Sequence, residues 1–130
     1  MPAPAERDYS HIPLPRKLGI REGSRVTVVA EGLAHAVPAG QDVIVFFATS
    51  FDEVERRFTR LAAKLTPAGG LWIAYPKRAS GIRSDLSENG LRDIGLPAGL
   101  VDNKICSIDD RWSGIRFVTR VKDRPPMKKR

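Results

Sequence analysis

Residues 77–85 gather side chains suited to holding an anion. Lys77, Arg78 and Arg83 are cations, Ser80 offers a hydroxyl donor, and Gly81 lets a ligand approach the backbone. The segment follows the apolar run Leu71-Trp72-Ile73-Ala74-Tyr75, closed by Pro76, and so leaves the carboxyl end of a strand. Ligands of open α/β sheets bind outside those ends. A helix expected to begin at Asp85 adds unpaired N–H groups and partial positive charge at the same place. A phosphate or carboxylate suits such a loop. A second loop, Asp109-Asp110-Arg111-Trp112, offers two carboxylates and an aromatic wall, and it opens on the same edge if the strand before it is parallel. The same charges admit a reading without a ligand. In that reading Lys77, Arg78 and Arg83 salt-bridge Asp85, Asp109 or Asp110 and only shape the loop, with Asp85 consumed as a cap.

Other chemistries lack their residues. The histidines His11 and His35 and the single cysteine, Cys106, are far apart, with no CxxC or HExxH spacing, so no metal site is expected. There is neither a GxSxG elbow nor a P-loop, and no catalytic residue is assigned. Cys106, in a strand of interior type, reads as a small buried hydrophobe, and Trp72 as core. One cysteine excludes an internal disulfide and favours a reducing cytoplasm.

The net charge of +7 is unevenly spread. From Arg120 to Arg130 six bases face one acid, Asp123, so that segment carries +5 and the remainder only +2. Pro125 and Pro126 interrupt regular structure there, which reads as a mobile basic tail: either a solvated end or a contact for nucleic acid. A chain of 130 residues, 42% hydrophobic and 28% charged, fits one folded domain and excludes wholesale disorder. No apolar run reaches the roughly 20 residues of a membrane span, and no secretory core follows the N-terminus, so no membrane partner is expected.

The elements that must position these groups alternate in type. Four prolines before residue 17 predict an extended arm over 1–16. Strands are expected over 25–30 and 42–48, the latter apolar throughout as burial on both faces demands. Ser50 and Glu53 form a capping box before an amphipathic helix over 51–65, whose stripe is Phe51, Val54, Phe58, Leu61, Ala62 and Leu65. Thr66-Pro67-Ala68-Gly69-Gly70 ends it. A strand over 71–75 follows, then a helix capped by Asp85 and Glu88 and stopped by Gly95. Gly90 inside that helix costs about 1 kcal/mol against alanine. Strands over 100–108 and 114–121 form a closing hairpin. The order β, β, α, β, α, β, β predicts a three-layer α/β domain over 17–121, with a mostly parallel open sheet and a C-terminal antiparallel hairpin, followed by the tail 122–130.

That order, with the passage Leu65-Thr66-Pro67-Ala68-Gly69-Gly70-Leu71-Trp72-Ile73, resembles the second half of class I S-adenosylmethionine-dependent methyltransferases. In those folds the last strand of the hairpin inserts beside the preceding parallel strands. More closely, the chain from about Tyr9 to Arg120 resembles the bacterial domain of unknown function 3052 family. The matching stretches are Pro13-Leu14-Pro15-Arg16-Lys17-Leu18-Gly19-Ile20, Leu71-Trp72-Ile73-Ala74-Tyr75-Pro76-Lys77-Arg78-Ala79-Ser80-Gly81, Gly95-Leu96-Pro97-Ala98-Gly99-Leu100-Val101-Asp102 and Arg111-Trp112-Ser113-Gly114. This resemblance implies a bacterial cytoplasmic protein and supplies no established activity. Residues 31–40 are shorter than the corresponding family region, so a strand and helix are expected to be missing or reduced there. A methyltransferase needs a glycine-rich turn after its first strand. Here Ala30-Glu31-Gly32-Leu33-Ala34 holds one glycine, and about ten residues separate the first two strands, too few for adenosine-binding strands.

The sequence therefore leads to a Rossmann-like scaffold lacking most of its cofactor half, with no cofactor assigned. Three functions follow. The first is a non-catalytic or accessory domain binding an anionic small molecule or protein partner through Lys77, Arg78, Ser80, Gly81, Arg83, Asp109, Asp110 and Trp112. The second is a nucleic-acid-associated protein acting through the tail. The third is a small enzyme with a reduced S-adenosylmethionine or nucleotide pocket. An open sheet edge near the first strand also suits a homo-oligomer.

Overall fold

The apolar runs pair into one sheet of five strands: β1 (Val26–Val29), β2 (Gln41–Phe47), β3 (Leu65–Pro76), β4 (Leu100–Ser107) and β5 (Trp112–Thr119). In this computed structural model the described residues are 13–30 and 36–124. The arm before residue 13 with His11, the turn bearing Glu31 and Gly32, His35, and the tail 125–130 lie outside them. The strand order is β1-β2-β3-β5-β4. β1, β2 and β3 pair in parallel, and β5 runs antiparallel between β3 and β4. The expected α/β fold with an open, mostly parallel sheet is present, its final strand inserted beside the parallel ones. Residues 30–40 alone join β1 to β2, which are direct neighbours.

Helix α2 (Phe51–Ala62) starts where expected, with Ser50 Oγ accepting the Glu53 N–H at 3.3 Å. Val54, Phe58 and Leu61 are its buried residues, spaced as one helical face requires. It ends at Ala62 rather than at residue 65, because the next residues are already in the sheet. Lys64 O accepts the Gln41 N–H at 2.8 Å, and Leu65 is in register with Gln41. Thr66 through Gly70, expected as a helix-ending turn, are thus strand. Gly69 and Gly70 are buried there; a Cβ on Gly69 would crowd the β2 backbone at Gln41 and Asp42.

Helix α3 (Glu88–Gly95) is also displaced from the expected start at Asp85. Ser87 is its N-cap, accepting the Gly90 N–H at 3.1 Å. Asp85 caps the other helix instead: its Oδ1 accepts the N–H of Phe51 at 2.9 Å. Residues 84 and 85 lie across the start of α2, where the Ser84 hydroxyl donates to Thr49 O at 2.9 Å. This tertiary contact outcompetes the local capping pair. Within the expected arm, α1 (Leu14–Lys17) is a single helical turn.

The two faces of the sheet are covered unequally. On one, Ile44, Phe46, Leu71, Ile73 and Phe117 pack under Val54, Phe58, Leu61 and Leu91 of α2 and α3. Phe58 and Phe117 meet edge to face at 5.2 Å, an arrangement favoured by their ring quadrupoles. On the other face Val43, Val45, Trp72, Ala74 and Cys106 lie beneath Leu18 and Ile20. The third layer is therefore a thin N-terminal segment. Trp72, fully buried as expected of core, fastens it by donating its indole N–H to Leu18 O at 3.0 Å. Cys106 is buried but stands on β4, an edge strand and not an interior one; its cover comes from the Leu18 segment.

Candidate functional site

β3 and β4 both run antiparallel to β5, so their carboxyl ends reach the same edge of the sheet. The two loops singled out by composition meet there. Pro76 is in register with Trp112, and the Lys77 N–H donates to Arg111 O at 2.8 Å.

The side chains on these loops diverge. A cleft of about 660 Å³ opens between the end of β3, the start of α3 and β4, lined by Tyr75, Lys77, Arg78, Glu88, Cys106 and Ser107 among others. Lys77 is held toward it by a 2.7 Å hydrogen bond from Nζ to Ser107 Oγ. Arg78 opens a 3₁₀ turn, Arg78–Ser80, and is exposed. Ser80 and Gly81 do not line the cleft. The Ser80 hydroxyl oxygen accepts the Ile82 N–H at 3.1 Å, and Gly81 takes a left-handed φ of +79°, where a Cβ would meet nothing within 4 Å. Their visible role is to turn the chain. Arg83 is exposed and outside the cleft.

The second loop serves itself. Asp109 Oδ1 accepts the N–H groups of Arg111 and Trp112, each at 2.8 Å, which fixes the hairpin turn. Asp110 is exposed. Trp112 packs edge to face on Phe47 at 5.1 Å, within the cluster on the thinly covered face. Of the eight residues proposed from sequence, Lys77 and Arg78 line this cleft and the other six do not. The competing arrangement is not formed either: none of the ion pairs among the described residues joins Lys77, Arg78 or Arg83 to Asp85, Asp109 or Asp110.

The cleft holds residues the sequence did not single out. The Tyr75 hydroxyl donates to Glu88 Oε2 at 3.0 Å, and burial followed by the Glu88 charge pushes its pKa above the ordinary tyrosine range. Arg92 stands 3.6 Å from Glu88 and donates to Asp102 at 3.0 Å. The Glu88 charge is thus already engaged. Burial likewise raises the Cys106 pKa, which keeps the thiol protonated. A tyrosine in an apolar run one residue from a strand end, as Tyr75 is, carried no signal beyond core. No group of three or more His, Cys, Asp or Glu that could hold a metal occurs among the described residues. No helix among them is long and apolar enough to cross a membrane.

No family model matches the chain, and no curated protein matches it. Among solved structures it is similar to the mitomycin 7-O-methyltransferase MmcR, at 11% identity and a TM-score of 0.52, over 75% of this chain and 49% of that one. It is also similar to the fibrillarin pre-rRNA processing protein of Methanococcus jannaschii, at 16% identity and a TM-score of 0.46, over 62% and 37% of the two chains. The chain spans about half the length of the methyltransferase it matches. A likeness to the methyltransferase at so low an identity speaks for the scaffold alone. The fold is methyltransferase-like.

Proposed function

We propose that this chain is a non-catalytic or accessory domain that takes an anionic small molecule or an anionic partner group at the carboxyl edge of its sheet. One observation carries the reading: Lys77 and Arg78 line the same cleft, and neither forms an ion pair with a carboxylate of the described residues. Glu88, the acid of the cleft, is committed to Tyr75 and Arg92, which leaves the cleft electropositive toward Lys77 and Arg78. The hydroxyls of Ser87 and Ser113 add donors on the same walls, while that of Ser107 donates to Asp109 O. The test is a thermal-shift screen of anionic metabolites against wild type and the Lys77→Ala/Arg78→Ala double variant. At least one ligand is expected to stabilise the first and not the second. A screen in which no ligand depends on this pair overturns the reading.

An enzyme with a reduced S-adenosylmethionine or nucleotide pocket is a second reading, favoured by the methyltransferase-like fold. Against it, β1 stands at the sheet edge and pairs directly with β2, so the adenosine-binding strands expected between them have no described counterpart. Calorimetric titration with S-adenosylmethionine separates the two, since measurable heat favours the enzyme. The motif resemblance to the domain of unknown function 3052 family supports a bacterial, cytoplasmic protein. The nucleic-acid reading rests on the charge of residues 120–130. If it is correct, deleting residues 125–130 weakens binding and flattens its salt dependence.

A further inference from the structure

A second cavity, of about 440 Å³, lies on the thinly covered face of the sheet, at the ends of β2 and β3 opposite to the cleft. Four cations line it, Lys17, Arg21, Lys104 and Arg116, against one acid, Asp42. Both carboxylate oxygens of that acid already have donors: Asp42 Oδ2 accepts the Arg25 N–H at 3.0 Å, and Oδ1 accepts the Thr66 hydroxyl at 3.1 Å.

Arg116 projects from β5, an internal strand, into this cavity. Its guanidinium occupies the space left by Gly70 on β3, where a Cβ would overlap Nε. Among the described residues the buried Arg116 Nε has no hydrogen-bond partner, and no ion pair involves Arg116. Directly across the antiparallel ladder from Arg116 stands Lys104. A buried donor without a partner is costly. An anion in the cavity would supply the acceptor that Arg116 Nε lacks.

The surrounding contacts order the wall. Lys104 Nζ donates to Lys17 O at 3.0 Å, and Lys17 Nζ reaches towards the other end of β4, donating to Ser107 O at 3.2 Å. The bond from Trp72 to Leu18 O fastens the wall that carries Lys17.

We infer that this cavity binds the phosphoryl group of a small molecule, with the Arg116 guanidinium as its charge partner and Arg21 and Lys104 on its walls. A guanidinium matches phosphate oxygens in pairs. The concave volume fits a small molecule. The site is separate from the carboxyl-edge cleft and does not depend on the function proposed there.

The experiment titrates inorganic phosphate and pyrophosphate into the full chain, read by calorimetry and by the Nε–H resonance of Arg116. Saturable binding that shifts this resonance is expected. Arg116→Met and Lys104→Gln should each weaken it roughly 10- to 100-fold, the loss of a charge-assisted hydrogen bond. The Lys77→Ala/Arg78→Ala variant should bind both probes as wild type does, which separates this site from the other. Arg116→Met should also melt no lower than wild type without ligand, because it removes an unpartnered buried donor. A clear drop in that melting temperature would assign Arg116 a structural role and overturn the inference. So would the absence of saturable binding, or binding that survives both substitutions. Competition by a single-stranded oligonucleotide, without binding of either small probe, would replace the small molecule with nucleic acid and also overturn it.

Discussion

The two cavities sit at opposite ends of one sheet and are built by opposite means. The carboxyl-edge cleft takes its cations, Lys77 and Arg78, from consecutive positions in a surface loop. The amino-edge pocket assembles Lys17, Arg21, Lys104 and Arg116 from α1, the turn after it, β4 and β5. A loop can be rich in charge at little cost to folding, because water screens its side chains. A cation on an internal strand gives up hydration, and burial with Arg124 nearby holds the Arg116 pKa below the ordinary guanidinium range. An unpaired charge is therefore weak evidence of a ligand in the loop and stronger evidence in the sheet.

Substitutions should divide along that line. The largest effect is expected at Trp72, which is fully buried and fastens the pocket wall. Trp72→Ala should cost about 3–5 kcal/mol in urea unfolding. A loss below about 1 kcal/mol would mean that the N-terminal layer is held by something else. Next is Gly90→Ala in α3, where helix propensity and packing disagree in sign. Alanine is worth about 1 kcal/mol to an isolated helix. Here its Cβ would collide with the ring of Phe51, and overpacking costs about 1–3 kcal/mol. A net loss of stability is expected; a more stable variant would show that the ring yields freely.

Tyr75 offers a smaller, pH-dependent effect. Its pKa is raised in the folded chain, so the native state holds the proton after the unfolded chain, titrating near 10.0, begins to lose it. The stabilisation is complete below that value and is lost as pH rises further. Tyr75→Phe should flatten the alkaline part of the stability–pH curve and cost about 1 kcal/mol at neutral pH through the bond to Glu88. An unchanged alkaline slope would assign the pH dependence to other groups, Cys106 among them, whose raised pKa acts in the same direction. The smallest stability effect belongs to Lys77→Ala/Arg78→Ala, within about 0.5 kcal/mol as for surface positions. A larger loss would show that the loop cations hold the fold and would erase the contrast between the two cavities.

Much of the scaffold could be read from local pattern. Ser50 before Val54, Phe58 and Leu61 marks the start and buried face of α2, and the unbroken apolar run through Phe46 marks an internal strand. The joint around Asp109 is a hairpin, as its length implies. Element ends were less legible. Thr66-Pro67-Ala68-Gly69-Gly70 has the composition of a turn, yet pairing with β2 draws it into β3. Asp85 has the composition of a local cap, yet it caps α2 from 34 positions away.

The chain's own order of apolar, capping and turn residues determined the element types, the α/β class and the presence of a cationic loop at a strand end. Those features depend on periods of two and 3.6 residues and on contacts a few positions apart, which a sequence carries directly. Tertiary structure decided which charges meet: that Lys77 and Arg78 share a cleft while Arg83, Asp109 and Asp110 face elsewhere, and that Arg116 lies over Gly70 opposite Lys104. Such meetings are set by strand register, and shifting a strand by one residue would turn Arg116 to the other face of the sheet.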